Sequence, residues 1–201
     1  RAAPGRASGC NPLALEPTPS NRDFLNLWLT RLVERPGRAL TVREEAEQLR
    51  VLRCEGRQPD PGAYIACRRR SIGVLPTLNL LEYACGCALP DELRVHPAMA
   101  ALERAASELV FIQNDLVSVP KDARDRGVNL VFSLAQARGC SLAAACHEME
   151  KMHDTALTGF TNAAGFLRME FPDCAPLMQW LEAAETMCHG FARWHLSNTR
   201  Y

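Results

Sequence analysis

The chain has 201 residues, 47% of them hydrophobic, enough to bury one sizeable core. Lysine plus arginine equals aspartate plus glutamate at 23 each, so no whole-molecule field points to nucleic acid or to an acidic membrane. There is no apolar run of membrane-spanning length and no charged start leading into an apolar stretch, which excludes a spanning segment and a signal peptide as readings of these residues.

Residues 1–21 carry Pro4, Gly5, Gly9, Pro12, Pro17 and Pro19 and read as an irregular leader or loop, with a helical domain expected over 22–201. The start at Arg1 rather than at methionine is that of a fragment or a processed chain. From Asn21 the pattern turns helical, with Phe24, Leu25, Trp28, Leu29 and Leu32 at three- and four-residue steps. "ERPGRAL" (34–40) breaks this helix, and Thr41 with Glu44 opens another through a capping box. A third runs through Tyr64 to Arg70, loosens around Gly73 and Pro76, and resumes from Thr77; Pro76 is the expected cause of the break, because it removes a hydrogen bond and crowds the preceding turn. "LPDELRVHP" (89–97) is a turn with a short helical piece, and long helices are predicted over 98–122, 141–169 and 176–196. No segment alternates with period two between hairpin turns, so the fold class is all-α, with helices around a central cavity.

Nine cysteines invite a disulfide or zinc reading that their spacing does not support. Cys85 and Cys87 form a C-x-C, the other seven are scattered singly, and no C-x-x-C pair occurs. They read as reduced, mostly buried small hydrophobes, as expected of a cytoplasmic chain. His147 and His153 are six residues apart where the zinc-protease pattern needs four, and read as core or surface histidines.

Asn114, Ser118 and Asp122 recur every fourth position on the predicted 98–122 helix and offer a carbonyl, a hydroxyl and a carboxylate along one edge. Hard oxygen donors of this kind suit Mg²⁺; the bland alternative is a solvated helix edge. At about 100° per residue, Ser118 and Asp122 lie roughly 40° and 80° from Asn114, outside the apolar arc, with Phe111 between them at about 60°. An aromatic among polar ligands suits the wall of a partly apolar cavity. Arg68, Arg69 and Arg70 stand just before the Gly73 break, either as a clamp for phosphate oxygens or as ordinary surface charges.

Together these motifs resemble the C-terminal two-thirds of a class I terpene synthase of microbial, fungal type. That family carries a metal motif N-D-x-x-S-x-x-x-E, usually with lysine before the acid. "NDLVSVPKD" matches it at Asn114, Asp115, Ser118 and Lys121, with Asp122 in place of the glutamate and Gly127 and Asn129 following. The family's arginine segment that senses diphosphate is matched by "RRRSIG" (68–73): Arg68 precedes Asn114 by 46 residues and Arg69 by 45. Gly73 stands where the family has an effector of ionisation. The closing Arg200–Tyr201 pair follows Asn114 by 86 residues, with Trp194 six residues before it.

The resemblance implies an all-α class I terpenoid synthase fold with its N-terminal helices missing. It also implies Mg²⁺ held by Asn114, Ser118 and Asp122, and a prenyl diphosphate, farnesyl diphosphate by analogy, gripped by Arg68 or Arg69, Lys121, Arg200 and Tyr201. Phe111 and Trp194 would face the carbocation. The family's aspartate-rich motif, which holds two further Mg²⁺ ions, has no counterpart in these 201 residues. The isolated chain is therefore expected to be inactive, the alternative being a non-catalytic relative that serves as a binding or scaffold module. Asp122 is one methylene shorter than glutamate, about 1.5 Å, against Mg²⁺–oxygen distances of roughly 2.0–2.1 Å. With Pro120 standing between it and Ser118, Asp122 is the ligand expected to stray.

Overall fold

A computed structural model of the chain describes residue 55 and residues 57–198. The expected helix from Asn21, the Thr41–Glu44 capping box and the Arg200–Tyr201 pair lie outside the described residues. Among those described there are seven helices and no strand: α1 Pro61–Ser71, α2 Val74–Ala84, α3 Asp91–Arg94, α4 Pro97–Arg124, α5 Leu130–Arg138, α6 Leu142–Glu170 and α7 Ala175–Ser197. None of them is long and apolar enough to cross a membrane.

The helix starts are written locally. Asp60 accepts from Ala63 N at 3.0 Å and Pro61 fills the first turn of α1; His96 and Pro97 do the same for α4, with Nδ1 accepting from Ala98 N at 3.2 Å. Ser141 Oγ accepts from Ala144 N at 3.2 Å to cap α6. The break near Gly73 occurs, but for a different reason from the one expected. Gly73 takes φ 88°, a left-handed conformation open to glycine at little cost, and α2 restarts at once at Val74. Pro76 then falls in the first turn of α2, where a backbone N–H has no helical partner to lose. Pro120 does not break α4 either. The helix runs unbroken to Arg124, with the proline on its exposed side. Helix α5 was missed from sequence because it spans only nine residues and is apolar with little facial bias.

The long α4 is the central element, packed most extensively on α6 and also against α1, α2, α5 and α7. One core joins Leu102, Ala106 and Val110 of α4 to Val74 and Leu78 of α2, Phe160, Ala164 and Leu167 of α6, and Leu177, Trp180 and Leu181 of α7. A second core joins Phe111 and Ile112 of α4 to Tyr64 of α1, Leu130, Val131 and Leu134 of α5, and Ala145 and Met149 of α6. The seven described cysteines are free thiols. Burial, with Glu185 adding to it, pushes the Cys188 thiol up to about 11. At pH 8 its reactive thiolate should be about 100-fold scarcer than that of an ordinary cysteine near 9. Iodoacetamide labelling followed by peptide mass spectrometry is thus expected to find Cys188 slower than Cys174, the residue just before the same helix; labelling of Cys188 at an exposed thiol's rate would mean that this helix opens.

Candidate functional site

Between α1, the second half of α4 and the end of α7 lies a cavity of about 470 Å³. Tyr64, Arg68 and Ser71 line it from α1, Val110, Asn114, Asp115, Ser118, Lys121 and Asp122 from α4, and Phe191, Trp194 and His195 from α7; Ile72 and Val128 come from connecting turns. Asn114, Ser118 and Asp122 therefore face a concavity shared with Arg68 and Trp194, not bulk solvent.

Asp122 does not stray. Ser118 Oγ donates to Asp122 Oδ2 at 2.5 Å across the turn that contains Pro120. Asn129 Nδ2 ties the pair from the other side, donating to Asp122 Oδ2 at 2.9 Å, to Ser118 Oγ at 3.2 Å and to the Asp115 carbonyl at 2.8 Å. Its own Oδ1 accepts from Val131 N at 2.9 Å and so caps α5. Gly127 comes so close that an added Cβ would stand 3.1 Å from both Cβ and Oδ1 of Asp122. The shorter acid is seated by a close-packed turn.

Arg68 and Arg69 part company. Arg68 Nη2 donates to Asn114 Oδ1 and to Asp115 Oδ1, each at 3.0 Å, and its Nε is buried with no protein acceptor. Arg69 turns away from the cavity: its Nε donates to Glu108 Oε1 at 2.7 Å, one part of an ion pair joining α1 to α4. Of the two candidate sensors, only Arg68 reaches the site. Lys121 lines the cavity with its Nζ 3.8 Å from carboxylate oxygens of Asp122 and Asp125. Gly73 does not line it, and its carbonyl accepts from Thr77 N at 3.3 Å and Thr77 Oγ1 at 2.9 Å. Phe111 is not a cavity residue. It is fully buried in the second core, because α5 and α6 cover the side of α4 that looked open from the helical wheel. Trp194 stands at the rim, 44% exposed.

Three further side chains line the cavity without a role in the sequence reading. Tyr64 lies one helical turn before Arg68, a spacing that puts both on one face of α1; its hydroxyl donates to Asp115 Oδ2 at 2.7 Å. Asp115 stood inside the matched motif without a role. His195 follows Trp194, and its Nε2 is 3.4 Å from Asn114 Nδ2; nothing in the sequence marks it. Burial, and secondarily the charge of Arg68, push the His195 imidazole below its ordinary value, which keeps it neutral near pH 7. Burial raises the Tyr64 hydroxyl, Asp115 adding to the effect, so it remains a donor. Burial also pushes Asp115 up, opposed by the Arg68 guanidinium, the Tyr64 hydroxyl and the Leu130 amide.

The donor set is one of oxygens: an amide carbonyl, a hydroxyl and a carboxylate on successive turns, with a guanidinium and an ammonium beside them. Among the described residues no three His, Cys, Asp or Glu side chains converge as a soft-metal site would require. The set fits a hard divalent cation, and the buried Arg68 Nε fits an anion beside it.

Residues 42–158 match the family described as "Terpene synthase family 2, C-terminal metal binding". The chain is 31% identical over 161 residues to the (−)-delta-cadinene synthase of Streptomyces clavuligerus, an alignment covering 73% of this chain and 47% of that enzyme. It is 28% identical over 151 residues to the alpha-muurolene synthase of Coprinopsis cinerea, covering 74% of this chain and 36% of that one. The chain thus spans less than half the length of these curated relatives. The crystal structure of 2-methylisoborneol synthase from Streptomyces coelicolor, in complex with Mg²⁺ and geranyl-S-thiolodiphosphate, aligns with a TM-score of 0.72 at 23% identity over 90% of this chain and 54% of that one, and shares its fold.

Proposed function

The chain belongs to terpene synthase family 2, and from that premise we propose that its cavity binds the diphosphate of a prenyl substrate together with Mg²⁺, as half of the site of a sesquiterpene cyclase acting on farnesyl diphosphate. One observation carries the reading: the three oxygen ligands, Arg68 and Lys121 converge on one cavity of about 470 Å³, within the roughly 300–1,000 Å³ of small-molecule sites. When bound, Mg²⁺ supplies Lewis-acid stabilisation of the departing diphosphate.

The chain's own residues do the rest. Asn114, Ser118 and Asp122 hold the cation, while Arg68 and Lys121 bind diphosphate oxygens, joined in this reading by Arg200 and Tyr201. Charge-assisted hydrogen bonds of this kind are worth about twice a neutral one. Ile72, Val110 and Phe191 line the cavity on its apolar side and help exclude water. Trp194 offers its π face to positive charge on the hydrocarbon. His195, neutral beside Asn114, adds no positive charge of its own to that wall.

The test is titration calorimetry of the 201-residue chain with magnesium chloride and inorganic pyrophosphate, run alongside gas chromatography of the chain incubated with farnesyl diphosphate and Mg²⁺. Magnesium-dependent pyrophosphate binding without hydrocarbon release is expected, because these residues contain no aspartate-rich cluster for the remaining metals. Absence of magnesium-dependent binding would sink the reading, and hydrocarbon release would refute the need for that cluster.

A further inference from the structure

Asp115 is the sequence neighbour of Asn114 but has a different job. It is 2% exposed, and both of its oxygens are spent on buried donors from two other helices. Oδ1 accepts from Arg68 Nη2 at 3.0 Å, while Oδ2 accepts from the Tyr64 hydroxyl at 2.7 Å and from Leu130 N, at the start of α5, at 3.1 Å. Turning this carboxylate toward a cation would strand three donors, each costly to leave unpaired in the interior.

Arg68 Nη2 divides its hydrogen bonds between Asp115 and Asn114 Oδ1. The Asn114 oxygen is also the one a divalent cation would take, and a cation there removes one of the two acceptors that hold the guanidinium. Asp115 remains. We propose that Asp115, backed by Tyr64, is the positioning residue that keeps Arg68 aimed into the cavity when a cation occupies Asn114, so that the buried Nε meets the diphosphate. Neither Asp115 nor Tyr64 touches the anion. The inference rests on the reading of this cavity as a magnesium–diphosphate site.

The chemistry of the pair is specific. An amide at position 115 presents one acceptor and one donor. Whichever way it faces, its NH₂ meets either the Arg68 guanidinium or the Leu130 N–H, and neither can accept. A phenylalanine at position 64 is milder, since it removes one of the two bonds to Oδ2 and leaves Arg68 its partner.

Calorimetry on the 201-residue chain separates this role from a purely structural one. Magnesium chloride alone is titrated first, then inorganic pyrophosphate at saturating magnesium chloride. Asp115→Asn is expected to weaken pyrophosphate binding about 10- to 100-fold and Tyr64→Phe about 3- to 10-fold, the ranges of a charged and a neutral hydrogen bond, with magnesium affinity held within about twofold in both. A structural role would loosen the α4–α5 corner and lower both affinities in parallel; that result, or no change in either, overturns the proposal. If Asp115→Asn loses its far-ultraviolet helical signal, Tyr64→Phe decides alone by the same criterion. Failure of the unaltered chain to bind pyrophosphate with magnesium overturns this inference along with the reading beneath it. Binding that both variants leave untouched overturns the positioning role alone.

Discussion

Trp180→Ala is expected to lower the unfolding free energy of the chain by about 3–5 kcal/mol, the range for truncating a buried tryptophan. Trp180 is 2% exposed and packs in the first core between α2, α4 and α6, and its Nε1–H donates to the Leu78 carbonyl of α2 at 3.2 Å. Removing the indole empties the place where α7 is held against α2, and the helices around it are themselves pinned to α4. Domains of this size are stable by about 5–15 kcal/mol, so the variant should approach its transition in mild urea. The comparison that isolates packing is Trp194→Ala on the same helix. Trp194 is 44% exposed, and a substitution at such a place usually stays within about 0.5 kcal/mol. Urea unfolding followed by circular dichroism should therefore separate the two tryptophans by several kcal/mol. Equal losses would mean that α7 is not anchored through Trp180, and that the wall it gives to the cavity is held some other way.

The helices were legible because their signals are local. Long apolar stripes set α4, α6 and α7 to within a residue or two, α1 starts three residues before the Tyr64 at which its pattern is read, and the break falls at Gly73. What sequence could not supply was which helix covers which face. Phe111 and Asn114 are both plausible cavity residues on a wheel, and only the packing of α5 and α6 over one side of α4 sends the first to the core and the second to the site. Arg68 and Arg69 are likewise indistinguishable by spacing. They separate because Glu108 stands one turn and a half before Asn114 on α4 and draws the second arginine away. Buried polar partners are the hardest to read. Asn129 and Asp115 are 14 residues apart in sequence, and only the turn around Gly127 makes the Asn129 amide a donor to the Asp115 carbonyl. Tyr64 could have been found by its one-turn spacing from Arg68. The matched metal motif marked the candidate ligands but not the side chains that support them.

The question of whether an aspartate can stand where a glutamate is usual has a direct test in Asp122. Asp122→Ala removes the only carboxylate among the three proposed ligands and is expected to weaken magnesium binding by about 100-fold or more, beyond the roughly 10- to 100-fold typical of losing a mere support of a metal ligand. Asp122→Glu separates reach from charge. If the shorter acid were starved of reach, the added methylene should tighten magnesium at least tenfold. No gain is expected, because Asp122 Oδ2 already lies 2.5 Å from Ser118 Oγ and 2.9 Å from Asn129 Nδ2. The seating itself is tested by Gly127→Ala. The new Cβ would stand 3.1 Å from the Asp122 Cβ and 3.3 Å from its backbone Cα, so Asp122 has to give by a few tenths of an ångström, which disturbs its seat against Ser118. A loss of about tenfold in magnesium affinity is expected, that of a disturbed support rather than a lost ligand. An alanine at 127 that leaves magnesium affinity unchanged, together with a glutamate at 122 that improves it, would show that the close turn does not set the ligand and that the shorter acid is a defect.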